Sequence, residues 1–304
     1  MDENETKALQ FLKEADKKSR SLGGGGGFLG GIFGGFSGKS DDACELYVKA
    51  ANLFKMAKKW DQAGQSFVKS AEINCRKGDA KHEAASNYVD AATCYRKTDP
   101  RSAVSCLQKA AEIYTDMGRF TMAAKHHQSM AEIFENDLSD LDQAVYNYEK
   151  AADYFKGEES KSAANKCLLK VAQYAAELKQ YRKAIDIYEE IGKAAVDNNL
   201  LKYTAKDYFF KAILCYLCMD LLDAQHALKR YDDLFPTFTD SREHKLLSDC
   251  ILALEAKNLD DFTQSLRDYD KISRLDSWTT KMLLRVKELC GGEDNLGGEN
   301  SDLL

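Results

Sequence analysis

Alanine recurs along this chain at a fixed interval: Ala63, Ala103, Ala144, Ala184 and Ala224 are spaced by 40, 41, 40 and 40 residues. Four residues after each stands a large apolar side chain, namely Phe67, Leu107, Tyr148, Tyr188 and Leu228. Eight residues after the first four stands a small one (Ala71, Ala111, Ala152, Gly192), while the fifth unit breaks the rule with Asp232. A second series, Ala84, Ala124, Ala164 and Ala205, runs between the first. Offsets of four and eight keep these residues on one helical face. The small ones let a neighbouring helix approach, and the large ones fill the gaps between. Each unit of about forty residues therefore predicts two helices, and stacked helical hairpins make a solenoid.

Turn signals fall where the hairpins need them: Lys77-Gly78-Asp79, Asp99-Pro100, Met117-Gly118 and Lys156-Gly157. Beyond Phe235-Pro236 the period fades, and helical patterns at 240–257, 259–272 and 276–289 predict a C-terminal helical bundle. The expected fold is all-α: a twisted sheet of antiparallel helical hairpins, longer than but similar to tetratricopeptide repeats, over 1–235, then the bundle over 236–290. Residues 291–304 read GGEDNLGGENSDLL, four acids and no base, an acidic tail expected to be disordered alone.

One segment fits neither pattern. Residues 23–38, GGGGGFLGGIFGGFSG, hold ten glycines and five large apolar side chains: Phe28, Leu29, Ile32, Phe33 and Phe36. Glycine costs about 1 kcal/mol per helical position against alanine, so a flexible loop is expected over 22–40. Flexible chain normally carries polar groups; this one would expose phenylalanines.

Composition narrows the class. Charged residues make up 30% of the chain and only two prolines occur, which suits an almost entirely helical protein. A net charge of -6 argues against general nucleic-acid binding. No apolar run of 18 residues appears, so no membrane-spanning helix is expected, and the acidic start Asp2, Glu3, Glu5 does not resemble a signal peptide. The nine cysteines, scattered through helical patterns (Cys44, Cys75, Cys94, Cys106, Cys167), are read as reduced, buried thiols.

Catalytic and metal motifs do not survive inspection. Gly38-Lys39-Ser40 matches the end of a phosphate-binding loop, but Phe33 occupies the position of its first glycine and no strand precedes it. Cys215 and Cys218 have CxxC spacing inside an apolar helical run with no second ligand pair, which favours core packing. His126 and His127 are adjacent, point about 100° apart on a helix and cannot chelate together; a surface or capping role is expected of both. The chain is read as no enzyme, with no cofactor and no metal.

Several long stretches resemble the soluble NSF-attachment proteins: ACELYVKAANLFKMAKKW, YTDMGRFTMAAKHH, ADYFKGEESKSAANKCLLKVAQYAAEL, YRKAIDIYEEIG, LLKYTAKDYFFKA and ISRLDSWTTKMLLR. The resemblance implies a cytosolic adaptor, peripheral on the cytosolic face of membranes. Several copies would bind the four-helix SNARE bundle (syntaxin-like, synaptobrevin-like and SNAP-25-like helices). They would recruit the AAA+ ATPase NSF, whose ATP hydrolysis disassembles the bundle after vesicle fusion. A generic tetratricopeptide-like scaffold for short peptides is the alternative.

Three surfaces follow from the resemblance. The loop, with Phe28 and Leu29 foremost and Ile32, Phe33 and Phe36 beside them, would make a weak membrane contact, near the cations Lys17, Lys18, Arg20 and Lys39. A basic stripe of Lys58, Lys59, Arg96, Lys97, Arg119, Lys125, Lys166, Lys170, Lys202 and Lys206 would face the acidic SNARE bundle. The tail acids Glu293, Asp294, Glu299 and Asp302, with Leu303 as the best match to the family's NSF-engaging leucine, would meet NSF; Leu296 also follows acidic residues.

Overall fold

Every alanine of both periodic series is buried, and the large residue four places on from each first-series alanine is buried with it. The computed structural model describes residues 3–23 and 35–291, with side chains over 3–20 and 40–291. Among the described residues there are fourteen α-helices and no strand. The chain divides into two compact units, Met1–Cys167 and Leu168–Leu304.

The first unit contains α1 (Glu3–Gly23), α2 (Gly35–Met56), α3 (Trp60–Lys77), α4 (Lys81–Tyr95), α5 (Pro100–Asp116), α6 (Phe120–Asn136), α7 (Leu141–Gly157) and the start of α8 (Lys161–Glu177). Short turns make successive helices antiparallel. α1 runs to Gly23 and α2 starts at Gly35, so the backbone at 22–23 and 35–40, inside the span read as loop, is helical. Close approach explains Gly64: a Cβ there would lie 2.8 Å from the Tyr95 ring on α4.

The turns repeat one device. Gly78 (φ 78°) and Gly118 (φ 69°) are left-handed, but so are Lys58, Ser139, Glu159 and Lys179, at φ 53° to 63°. The turn read at Lys156-Gly157 lies two residues later, because Gly157 still belongs to α7 and Glu159 makes the reversal. α5 starts differently: Asp99 accepts from the Arg101 and Ser102 amides and Pro100 takes the first helical position, where no amide is needed.

The second unit holds the rest of α8, then α9 (Tyr181–Val196), α10 (Ala205–Leu217), α11 (Leu221–Leu234), α12 (Arg242–Glu255), α13 (Leu259–Asp270) and α14 (Ser277–Gly291). The last three match the helical patterns expected after Pro236. One apolar cluster runs from Ala172 to Val286 without a break at 235/236. The stop in the forty-residue period therefore does not coincide with a gap in the core. α14 is tied back to the end of α8: Arg285 donates to the Ala176 carbonyl at 2.8 Å and the Glu177 carbonyl at 2.7 Å, and the Trp278 indole donates to Gln173 O at 3.1 Å. Glu177 closes α8 and its carbonyl has no partner one turn on, so Arg285 supplies it, while the Ala176 carbonyl is shared between Arg285 and the Lys179 amide. Glu189 gathers the α9–α11 face, accepting from Tyr231 at 2.7 Å, Tyr216 at 3.1 Å, Arg230 at 3.1 Å and Lys193 at 2.9 Å.

Candidate functional site

Antiparallel order places alternate turns of the first unit at opposite edges. At one edge, the Lys97 ammonium sits 3.6 Å from the centre of the Trp60 ring, joining the α4–α5 turn to the α2–α3 turn. Arg96 reaches Asp137 in the α6–α7 turn at 2.9 Å, and Lys59 reaches Glu5 at the start of α1 at 3.3 Å. Lys58, Lys59, Arg96 and Lys97 thus share this edge, three of them held by a neighbouring carboxylate or ring.

Arg119 lies at the other edge, because it belongs to the α5–α6 turn, one helix further on. That edge also joins the α6 start to the α7 end through Thr121 and Glu158, at 3.1 Å. Lys18 near the end of α1 meets Asp42 near the start of α2 at 3.0 Å. The helix ends that flank residues 24–34 therefore lie on the edge of Arg119, opposite the four turn cations. Phe28, Leu29, Ile32 and Phe33 fall outside the described residues; Phe36 has a described backbone, in the first turn of α2.

Lys125 and Lys166 occupy a third setting. They follow Ala124 and Ala164 by one and two residues, on the solvent side of α6 and α8. Both are exposed, with no ion pair among the described residues. Lys170 is one turn beyond Lys166 and donates to the Tyr174 hydroxyl at 3.2 Å. In the second unit Lys206, one residue after Ala205, pairs with Glu243 at 3.0 Å, and Lys202 lies over the Tyr203 ring. The ten cations thus occupy three kinds of place: edge turns, open helix faces, and positions already engaged.

A feature absent from the sequence reading surrounds Lys202. In the turn between α9 and α10, Leu200 is 89% and Tyr203 66% exposed, with Leu201 half-exposed between them. Three large apolar side chains in an exposed turn are the same mismatch that singled out residues 23–38, and LLKYT carried it in shorter form.

His126 and His127 correct the expectation of a surface or capping role. Each is only 8% exposed. His126 stacks on Tyr114 of α5 at 5.3 Å, and His127 stacks on Tyr154 of α7 at 5.7 Å while its Nδ1 meets Asn147 Oδ1 at 3.1 Å. Burial pushes both imidazole pKa values down, aided for His126 by His127 and Lys125. Cys215 and Cys218 are buried in the α10 core, as expected; burial drives the Cys215 thiol far up and Cys218 to about 11. Among the described residues no three metal-binding side chains converge, and no helix is long and apolar enough to cross a membrane.

Stacked helical hairpins with open cationic faces and exposed apolar turns define a class of protein that acts by docking to others. The chain belongs to the soluble NSF attachment protein family, whose model matches residues 6–290. It is 53% identical over 290 residues to the alpha-soluble NSF attachment protein of Homo sapiens, covering 95% of this chain and 97% of that one. It is 50% identical to the beta form of Bos taurus over 97% of each chain, and 47% identical to the alpha form of Dictyostelium discoideum over 95% of this chain and 98% of that one. The family is one of adaptors and not of enzymes.

Proposed function

We propose that this chain is the adaptor through which the ATPase NSF acts on SNARE complexes during vesicle-mediated transport. Family membership over nearly the whole length supports the role. The observation that carries the contact surface is the pair of unengaged cations, Lys125 and Lys166, at matching positions of α6 and α8. A long acidic helical bundle is attracted by such cations with little demand on shape, which suits one adaptor to many SNARE combinations. Lys58, Lys59, Arg96 and Lys97 at one edge, Arg119 at the other, and Lys170, Lys202 and Lys206 of the second unit are the further candidate contacts. The apolar turn Leu200–Tyr203 supplies area that a purely electrostatic contact lacks.

Two further contacts belong to this reading. Phe28, Leu29, Ile32, Phe33 and Phe36 touch a membrane weakly, each fully buried side chain being worth roughly 1.5–3 kcal/mol before ordering losses, and several copies on one complex multiply the effect. Glu293, Asp294, Glu299, Asp302 and Leu303 meet NSF. The adaptor works from the cytosolic face.

The test is NSF-dependent disassembly of a purified SNARE complex with and without the chain, repeated with Lys125→Glu/Lys166→Glu. Disassembly should require the chain, and the double variant should bind the SNARE complex at least tenfold more weakly, with a shallower salt dependence. Unchanged SNARE binding would remove the cationic face from the mechanism and favour a scaffold for short peptides.

A further inference from the structure

Between α12 and α13 lies a groove of about 320 Å³. Its floor is apolar, made by Leu246, Tyr269 and Ile272, and Ile272 is two-thirds exposed. Its two ends differ in charge. Arg242 and Lys245 line the end beside Tyr269 and Ile272, and Arg242 reaches Ser273 at 3.4 Å. Asp249 and Asp261 line the other end, near the start of α13. Asp268 lies at the first end too, paired with Lys271 at 2.8 Å and Gln264 at 3.0 Å and within the field of Lys245, so Arg242 and Lys245 face one carboxylate that already has a partner.

α14 ends at the first residue of α13, which does not itself line the groove, so the chain beyond it must round the start of α13 to enter. A Cβ on Gly291 would lie 3.7 Å from Leu259 Cδ1, at the first residue of α13. Thirteen residues follow, 292–304. Extended, they reach about 40 Å, whereas α13, with twelve residues, is about 18 Å long. At about 3.4 Å per extended residue, Gly297 and Gly298 already lie about 20 Å along the chain from Gly291, roughly the length of α13, so the residues beyond them can reach the cationic end. Glu299, Asp302, Leu303 and Leu304 fall where it would reach the cations and the apolar floor.

We propose that residues 299–304 dock intramolecularly in the α12–α13 groove, Leu303 and Leu304 on Tyr269 and Ile272, Glu299 and Asp302 towards Arg242 and Lys245. The segment is then sequestered in the free protein and must leave the groove before it can meet any partner. The docking stands whether or not that partner is NSF.

Heteronuclear NOE values of the backbone amides, measured on the full ¹⁵N-labelled chain, test it. Residues 299–304 should give values close to those of α13. Ile272→Asp, and separately Arg242→Glu/Lys245→Glu, should collapse them to zero or below while the amide dispersion of α12–α14 is kept; both sites are exposed, so the fold is not at stake. Adding Asp302→Lys to Lys245→Glu should restore them. Values at or below zero in the unchanged chain at low salt would overturn the proposal, as would values that no groove variant moves. Values that fall on dilution would assign the groove to the tail of a second copy and overturn the intramolecular contact.

Discussion

Residues 1–167 bury serine, asparagine and histidine between alanine-lined helices, whereas 168–304 bury aromatic rings against one another. Ser66, Ser70, Asn74, His126, His127 and Asn147 are all buried in the first unit, and Thr279 is their counterpart in the second. In the first unit two rings stack on imidazoles, the buried Tyr114 on His126 and the half-buried Tyr154 on His127. In the second, Phe209 lies 4.4 Å from Tyr231 and 6.2 Å from Phe238, and Tyr188 lies 6.2 Å from Trp278. An interior built from rings draws stability from buried area. One that holds polar groups depends on every partner being in place and on their protonation. The two units should therefore fail under different insults.

The largest effect is expected where rings meet rings. Phe209 also fills the space that Gly192 leaves open: a Cβ on Gly192 would come within 2.8 Å of its ring. Phe209→Ala should lower stability by about 3–5 kcal/mol, the transfer loss plus an unfilled cavity. Urea unfolding followed through Trp278, in the same core, would read it. A loss below about 1 kcal/mol would mean that the second unit is not held by its aromatic cluster.

Acid should discriminate the units next. Folded-state pKa values of His126 and His127 are lowered, chiefly by burial, from the ordinary value of 6.5. The unfolded chain therefore takes up protons first as pH falls through 6.5, and stability present above that value is lost towards the folded pKa, by up to about 1.4 kcal/mol per pH unit for each histidine. The charges about the pair are mixed: Lys125 and Lys150 oppose protonation, while Glu112 favours it for His127. Glu189, the polar centre of the second unit, is also lowered and also loses its contribution as pH falls, but in a lower window. Its lowered pKa keeps its contribution intact until pH falls below the ordinary carboxylate range near 4.5. Hydrogen exchange at pH 7.5 and 5.5 should show α6 opening faster at the lower pH while α10 is unmoved. His126→Phe, which keeps a ring against Tyr114, should remove about half of the change. Equal acceleration in α6 and α10 would contradict the assignment.

The alanine period was legible because it is a steric requirement repeated at each helix crossing, and a local pattern carries it. The histidine pair was not. Adjacent imidazoles read as polar surface, and what buries them comes from Tyr114 on α5 and Tyr154 on α7, contacts that exist only after three helices assemble. Arg119 is grouped with Lys58 and Arg96 by the family resemblance. An odd number of helices separates its turn from theirs, and each helix reverses direction, so it lands on the opposite edge. The groove beside α13 left no mark either, since Leu246 and Ile272 have ordinary helical spacing and only their tertiary neighbours leave one covered and the other open.

The smallest expected effect concerns what the units share. Left-handed turns close hairpins in both, and glycine announces them only at Gly78 and Gly118. Glu159 in the first unit and Lys257 in the second adopt φ 55° and 53° with a Cβ in place, at a cost of about 1 kcal/mol each. Glycine removes that cost but enlarges the freedom of the unfolded chain, so Glu159→Gly and Lys257→Gly should each gain only about 0.5 kcal/mol. The converse change, Gly118→Ala, should lose about 1 kcal/mol by strain alone, because its Cβ would meet nothing within 4 Å. Similar gains at Glu159 and Lys257 in thermal unfolding would mean that the turns are interchangeable and the contrast between the units lies in their interiors. A gain at one and a loss at the other would move part of that contrast into the turns.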